Sequence, residues 1–286
     1  VISLRVAAWS AWAPGIETPE AWREWAKAPS APGEGDPPGL SFLPAMQRRR
    51  FDPLSRAMLQ VVNACCDATT RAQAASVFAS RHGPFGTMIT LLEGLARDEA
   101  PSPARFSHSV HNTQSGLFSI WAKNTQPSMS LAAAGDTFAH GLLEAAALLH
   151  RNPGRKVLLV CGDEPIPASI AAKADRLDGL HAVAMLLDHA SAHASGEGSP
   201  LEAAFDPAGP RNLETGAHSL PDPLLFLRWW LSEEREFSIT HPPRHWVFSR
   251  RDGDVLLVEL EHPLRPEPTT QERIHASGSL ASSRSK

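Results

Sequence analysis

The side chains in this sequence that could act as nucleophiles, acids or bases fall into a few short segments. Cys65, Cys66 and Cys161 are the strongest potential nucleophiles. Three cysteines cannot build a disulfide framework, and these lack the paired spacing of a zinc site. All three sit in apolar runs, where a thiol is expected to be buried and inert. His108 and His111 stand in the segment Phe106 to Asn112, where an imidazole serves either as a general base or as a hydrogen-bonding filler. Asp163 and Glu164 follow an apolar run and read first as a cap or solvated turn, and second as an acid–base pair. Tyr is absent, which removes one common general acid.

Several catalytic patterns are missing: there is no G-x-S-x-G elbow, no Walker A, no G-x-G-x-x-G after a strand and no H-E-x-x-H. The common hydrolase, nucleotide-hydrolysing, dinucleotide-binding and zincin readings are weakened accordingly. What remains is the run Ser130 to Phe138, a strand, a tight turn of small residues and a helix start. Such an arrangement points backbone N–H groups at whatever occupies the turn, a setting that suits a nucleophile. Its apex, however, is Gly135, which has no side chain, and Asp136 is expected to cap the helix.

The elements that must position these residues alternate between strand and helix. Ser3 to Trp9 reads as a strand, and Thr18-Pro19-Glu20 starts a helix through Lys27. Residues 28–39 hold four Pro and three Gly and form a loop. Asp52-Pro53 starts a helix to about Thr69, with Leu54, Met58, Val61, Val62 and Cys65 on one face. Gln73 to Ala79 reads as a buried strand. Phe85 to Arg97 reads as a helix with Met88, Leu91, Leu92 and Leu95 on one face. A helix at Thr113 to Trp121, a strand at Ser128 to Ala134, a helix at Thr137 to His150 and strands at Lys156 to Cys161 and His181 to Leu187 follow. The fold class is therefore α/β, a mixed sheet layered with helices. Beyond about 195 the pattern changes to one helix, Pro223 to Leu231, and two strands, Trp246 to Ser249 and Val255 to Leu260. Trp229 and Trp230 cannot share a helix face, so one ring is expected inside and the other free for a partner. The expected organisation is a main domain at 1–195, a small C-terminal α+β extension at 196–262 and a disordered tail at 263–286, too poor in apolar residues to offset its ordering entropy.

With 286 residues, 42% hydrophobic and 20% charged, the chain has a globular composition. No stretch approaches the roughly 18 to 20 apolar residues of a membrane helix. The first ten residues lack the basic flank of a secretion signal, so the expected location is the cytoplasm. A net charge of −4 provides no basic field for nucleic acid.

Taken in order, these pieces resemble the β-ketoacyl synthases of the thiolase superfamily over about residues 1–190. The resemblance is carried by Asn112-Thr-Gln-Ser-Gly116, by Ser130-Leu-Ala-Ala-Ala134 and Gly135 at the position of the nucleophile elbow, by Phe78 to Gly83, and by Val157 to Glu164 as the strand after the elbow helix. The chain is most similar to a compact family of β-ketoacyl synthase chain length factors of aryl polyene and related pigment pathways. The segments behind that likeness are Trp9 to Gly15, Phe106 to Asn112, Ala133 to Phe138 and Phe226 to Ser232. In those synthases a cysteine takes up the acyl chain and two histidines of the second half assist decarboxylation. Here Gly135 stands at the cysteine position and the second half is lacking.

The resemblance implies a thiolase-like half fold and no catalytic residue, metal or cofactor. It implies a subunit that pairs with a full-length β-ketoacyl synthase, shapes its acyl tunnel and meets an acyl carrier protein in polyene, polyketide or fatty-acid-like biosynthesis. Val110, Asn112, Thr113, Gln114, Leu117, Phe118, Ser130 and Ala132 are the residues it places at the tunnel and partner interface. Arg48, Arg49 and Arg50 could meet the carrier protein, though a solvated turn explains them equally well. The alternative is a stand-alone acyltransferase or thioesterase using Ser or His near 107–115 or the Asp163–Glu164 pair.

Overall fold

The computed structural model describes residues 2–49, 51–167, 170, 179–189, 199–206, 220–241 and 244–250. Arg50, the expected strand Val255 to Leu260 and the expected tail lie outside them. Strand β1 (Ile2–Trp12) leads to helix α1 (Pro19–Lys27), the single turn α2 (Ala45–Arg48), α3 (Pro53–Cys65), α4 (Ala68–Gln73) and strand β2 (Ala75–Ala79). Helices α5 (Phe85–Ala96), α6 (Pro103–Ser107) and α7 (Thr113–Ala122) precede β3 (Ser128–Leu131), α8 (Thr137–Arg151), β4 (Val157–Asp163) and β5 (His181–His189). The last described elements are β6 (Ser199–Asp206), α9 (Asp222–Trp230), β7 (Glu236–His241) and β8 (Arg244–Ser249).

All these strands form one sheet in the order β3-β2-β4-β5-β1-β6-β8-β7. β2 runs parallel to β3 and β4, and every other pair is antiparallel, so the sheet is mixed as its sequence pattern predicts. Side chains on successive residues point to opposite faces, and both faces are covered. Val157, Leu159 and Cys161 of β4 face one apolar layer with α8 and α9, while Leu158 and Val160 face a second layer with α3 and α7. β5 divides likewise, with Val183, Met185 and Leu187 on one side and Ala182, Ala184 and Leu186 on the other. The described part of 196–262 supplies β6, β7 and β8 to the same sheet, and Phe226, Trp229, Trp246 and Phe248 to the first of these layers. Trp229 is fully buried, whereas Trp230 stacks on Phe226 and lies under the Arg250 guanidinium, so both rings pack within the chain. No helix among the described residues is long and apolar enough to cross a membrane.

Local chemistry explains the ends of the elements. Thr18 accepts the Ala21 N–H and Pro19 opens α1, as the sequence predicts. Asp52 does the same for α3 through Ser55 N at 2.8 Å and Ser55 Oγ at 2.5 Å. The helix expected to reach Thr69 instead stops at Cys65, because the Asp67 carboxylate takes the Thr70 N–H and starts α4 afresh. The strand expected to reach Ala134 ends at Leu131. Replacing Asp52 by Ala should lower stability by about 1–2 kcal/mol, measured by urea unfolding, because it removes the cap of the helix that gives the second apolar layer its largest share of side chains.

Candidate functional site

After β3 the chain turns through a short 3-10 segment, Ala134–Asp136, into α8. The turn is held from inside: Thr137 Oγ1 accepts the Ala133 N–H at 3.0 Å and donates to the Ala134 carbonyl at 2.8 Å. Ala134 has φ +50°, the left-handed region, where a β-carbon costs about 1–2 kcal/mol. The strained residue of the elbow is thus Ala134, one position before the expected apex at Gly135. Ala133, Ala134 and Gly135 offer no thiol, hydroxyl, carboxylate or imidazole.

Asp136 stands at the N-cap position of α8, but its side chain makes no capping bond. Its fully buried carboxylate accepts the Trp246 indole N–H at 2.9 Å and lies 2.5 Å from Arg244 Nε, an ion pair without the alignment of a hydrogen bond. His140 of α8 sets its ring edge-on to Trp246. Beside this, His241 at the end of β7 contacts Gly135, and its Nε2 meets Asp222 Oδ2 at 2.8 Å. The β7–β8 hairpin and the start of α9 therefore cover the elbow. A small cavity beside the turn, lined by Arg81, Gly135, Thr137, Asp163 and Asp222 among others and by no residue of β7 or β8, holds only about 20 Å³. Sequence reasoning missed His241, Asp222 and Arg244, because the contacts join segments far apart in the chain and no local spacing announces them.

Asp163 and Glu164 are buried rather than solvated. Asp163 Oδ1 accepts Ser80 Oγ at 2.7 Å, Arg81 N at 2.9 Å and His82 N at 3.3 Å, and so shapes the loop after β2. Glu164 accepts the Gly86 N–H at 2.7 Å at the start of α5. Burial pushes the Glu164 carboxyl up to about 7, and the Asp52 and Asp163 charges add to this against the backbone N–H groups of Gly86 and Leu54. A carboxyl whose folded value is raised contributes stability below its unfolded value and loses it as the pH rises through the folded one. Stability should therefore fall by roughly 2–3 kcal/mol between about pH 5 and pH 8 from this group. Glu164→Gln should flatten that fall in unfolding curves recorded across the range.

A second feature lies on the α7 side. An open groove of about 960 Å³ runs between α7, the loop before it and the segment around α2. Val110, Asn112, Thr113 and Leu117 of the expected set line it, with Phe42, Met46, His108, Ile120 and Trp121. Gln114 and Phe118 of that set do not line it. Gln114 is buried and donates to Ser55 Oγ at 3.3 Å, and Phe118 packs on Phe78 in the second apolar layer. The reason is helical phase: 114 and 118 share the face of α7 turned towards the sheet. Phe118→Ala should accordingly cost about 3–5 kcal/mol in chemical unfolding, as a core deletion does. Ser130 lies on the edge strand with its Oγ 2.8 Å from Ser115 Oγ, and Ala132 is exposed just beyond.

Around the groove much apolar surface is uncovered. Met46 is 76% and Ile120 79% exposed, and Leu92, Leu95, Phe106 and Met129 stand out from α5, α6 and β3. The apolar face expected on α5 exists, but Gly94 is its only buried residue. Arg49 is exposed, and Arg48 donates to the Gly39 carbonyl at 3.1 Å. His111 Nε2 is bonded to the Ser80 carbonyl at 2.8 Å. Burial pushes Cys65 up to about 12 and Cys66 to about 11, and raises Cys161 further, which disfavours the thiolate in all three. Among the described residues no cluster of His, Cys, Asp or Glu is arranged to hold a metal ion.

The family model for the β-ketoacyl synthase N-terminal domain matches residues 22–249. The chain belongs to this family. Its fold is the thiolase-like fold of the ketosynthases. Among solved structures, this ketosynthase-family chain is similar to one described as a ketosynthase in complex with its chain length factor from Xenorhabdus doucetiae, at 32% identity and TM-score 0.74, covering 87% of this chain and 100% of that one. It shares the fold of the ishigamide ketosynthase/chain length factor at 13% identity and TM-score 0.64, covering 90% and 100%. A third likeness, at 11% identity and TM-score 0.55 over 66% of this chain and 63% of the other, is to a type II polyketide acyl-carrier protein in complex with its ketosynthase bound to a hexaketide. No curated protein matches the chain.

Proposed function

We propose that this chain is a non-catalytic ketosynthase-like subunit, a chain length factor, which pairs with an active β-ketoacyl synthase and forms part of the wall of its acyl tunnel. The observation that carries the reading is the elbow. A strained strand-to-helix turn of a ketosynthase fold is kept, while Ala133, Ala134 and Gly135 offer nothing to form an acyl-enzyme. Condensation then has to occur on another chain, and the similarity to a ketosynthase solved with its chain length factor supports that division of labour.

The surface suits such a role. Among the described residues β3 is paired only with β2, so its outer edge would extend the sheet into a partner, and the exposed side chains of α5, α6 and β3 provide apolar contact area. An obligate interface of this kind covers more than ~2,000 Å². Across it the α7 groove would meet the partner's growing chain, with Val110, Thr113 and Leu117 limiting its length by volume. The exposed Arg49 lies next to the groove-lining turn α2, where an acidic carrier protein could approach.

Two measurements test this. The chain should co-elute with its ketosynthase in size-exclusion chromatography, and a stable monomer indifferent to that enzyme would refute the pairing. In the reconstituted pair, Leu117→Trp should shift the product distribution to shorter chains, because a wall stops elongation by sterics. If substitutions at 110, 113 and 117 change the yield but never the distribution, the subunit only stabilises its partner.

A further inference from the structure

We infer that His241, held by Asp222, is the residue that shuts this chain's own elbow, so that the site is filled as well as stripped of its nucleophile. A β-carbon placed on Gly135 would lie 2.9 Å from both Cγ and Nδ1 of His241 and 3.3 Å from its Cδ2. Cβ contacts under 3.0 Å are essentially never found, so any side chain at 135 requires the imidazole to move. The ring is not free to do so. Its Nε2 is bonded to Asp222 Oδ2 at 2.8 Å, and that carboxylate is almost fully buried at the first residue of α9, a helix whose next residues, Pro223 and Leu224, are buried too.

The strand that carries His241 is pinned in turn. β7 pairs with β8 along its whole length, and Arg244 and Trp246 of β8 both engage the buried Asp136 carboxylate at the base of the elbow. Imidazole, carboxylates, guanidinium and indole thus converge from α9, β7 and β8 on one turn. The cavity that Gly135 lines beside the start of α9, about 20 Å³, takes no more than a water molecule, far less than an acyl group. His241 therefore acts as an excluding residue, directing an acyl chain away from this subunit. The inference rests on the proposed role only for the identity of what is excluded.

The contact is testable on the full chain alone, without a ketosynthase. Gly135→Ala should lower the unfolding temperature by several degrees, and adding His241→Ala with Asp222→Asn, which avoids leaving a buried carboxylate without its imidazole, should remove that extra penalty relative to the same pair of changes on Gly135. For accessibility, Gly135→Cys is treated with iodoacetamide and the adduct located by peptide mass spectrometry. The introduced thiol should react at least ~10-fold faster when His241→Ala and Asp222→Asn are also present, since alkylation follows exposure of the thiolate. Failure of Gly135→Cys to fold, with recovery in the combined variant, would support the inference equally. It is overturned if Gly135→Ala leaves the unfolding temperature unchanged, if the thiol reacts equally fast with and without His241, or if the combined variant also fails to fold. None of these readouts depends on product length, so a groove that proves not to set chain length leaves this result standing.

Discussion

Strands β4 and β5 are buried on both faces, and the structure depends on that constraint. Their side chains alternate between two apolar layers, so each layer has to be closed by helices whose phase matches the pleat. On one side α8 and α9 do this, and on the other α3 and α7. Once these helices are seated, the loops at one end of the strands are brought together, and buried carboxylates tie them. Asp163 organises the turn after β2, and Glu164 takes the Gly86 N–H in the first turn of α5. The elbow before α8 and the groove beside α7 are therefore consequences of how two helices on opposite faces are held by the same central strands.

The two ends of the sheet behave differently. At one end, β6, β8 and β7 continue it and fold back over the elbow with Trp246, Arg244 and His241. At the other, β3 stops after four residues, and α5 and α6 carry exposed apolar side chains. Among the described residues one edge is capped and the other open, an asymmetry in keeping with the proposed pairing.

Much of this was legible in the sequence wherever short-range rules decide. Thr18-Pro19 and Asp52-Pro53 marked helix starts, and the apolar runs at 157–161 and 182–187 marked strands. Asp67 carried a cap signal that competed with the apolar periodicity around it, and the cap prevailed. The face of α7 was harder to read: Leu117 and Phe118 are adjacent and both apolar, and only the position of the sheet decides that Phe118 enters the core while Leu117 lines the groove. Contacts over the elbow were not legible at all. Trp246 and Asp136 are 110 positions apart, and nothing in the run from Thr240 to Trp246 distinguishes a plug from an ordinary hairpin.

The closeness of His241 to Gly135 also couples the two positions. An imidazole fastened to a buried carboxylate stands where a β-carbon on residue 135 would go. A side chain introduced at 135 alone meets a steric clash, and a change at 241 alone leaves Asp222 deprived of one of its partners, so each single change carries a cost in stability. Accommodating a larger residue at the elbow therefore takes coordinated changes at positions far apart in the chain. Packing makes the turn resistant to piecemeal change.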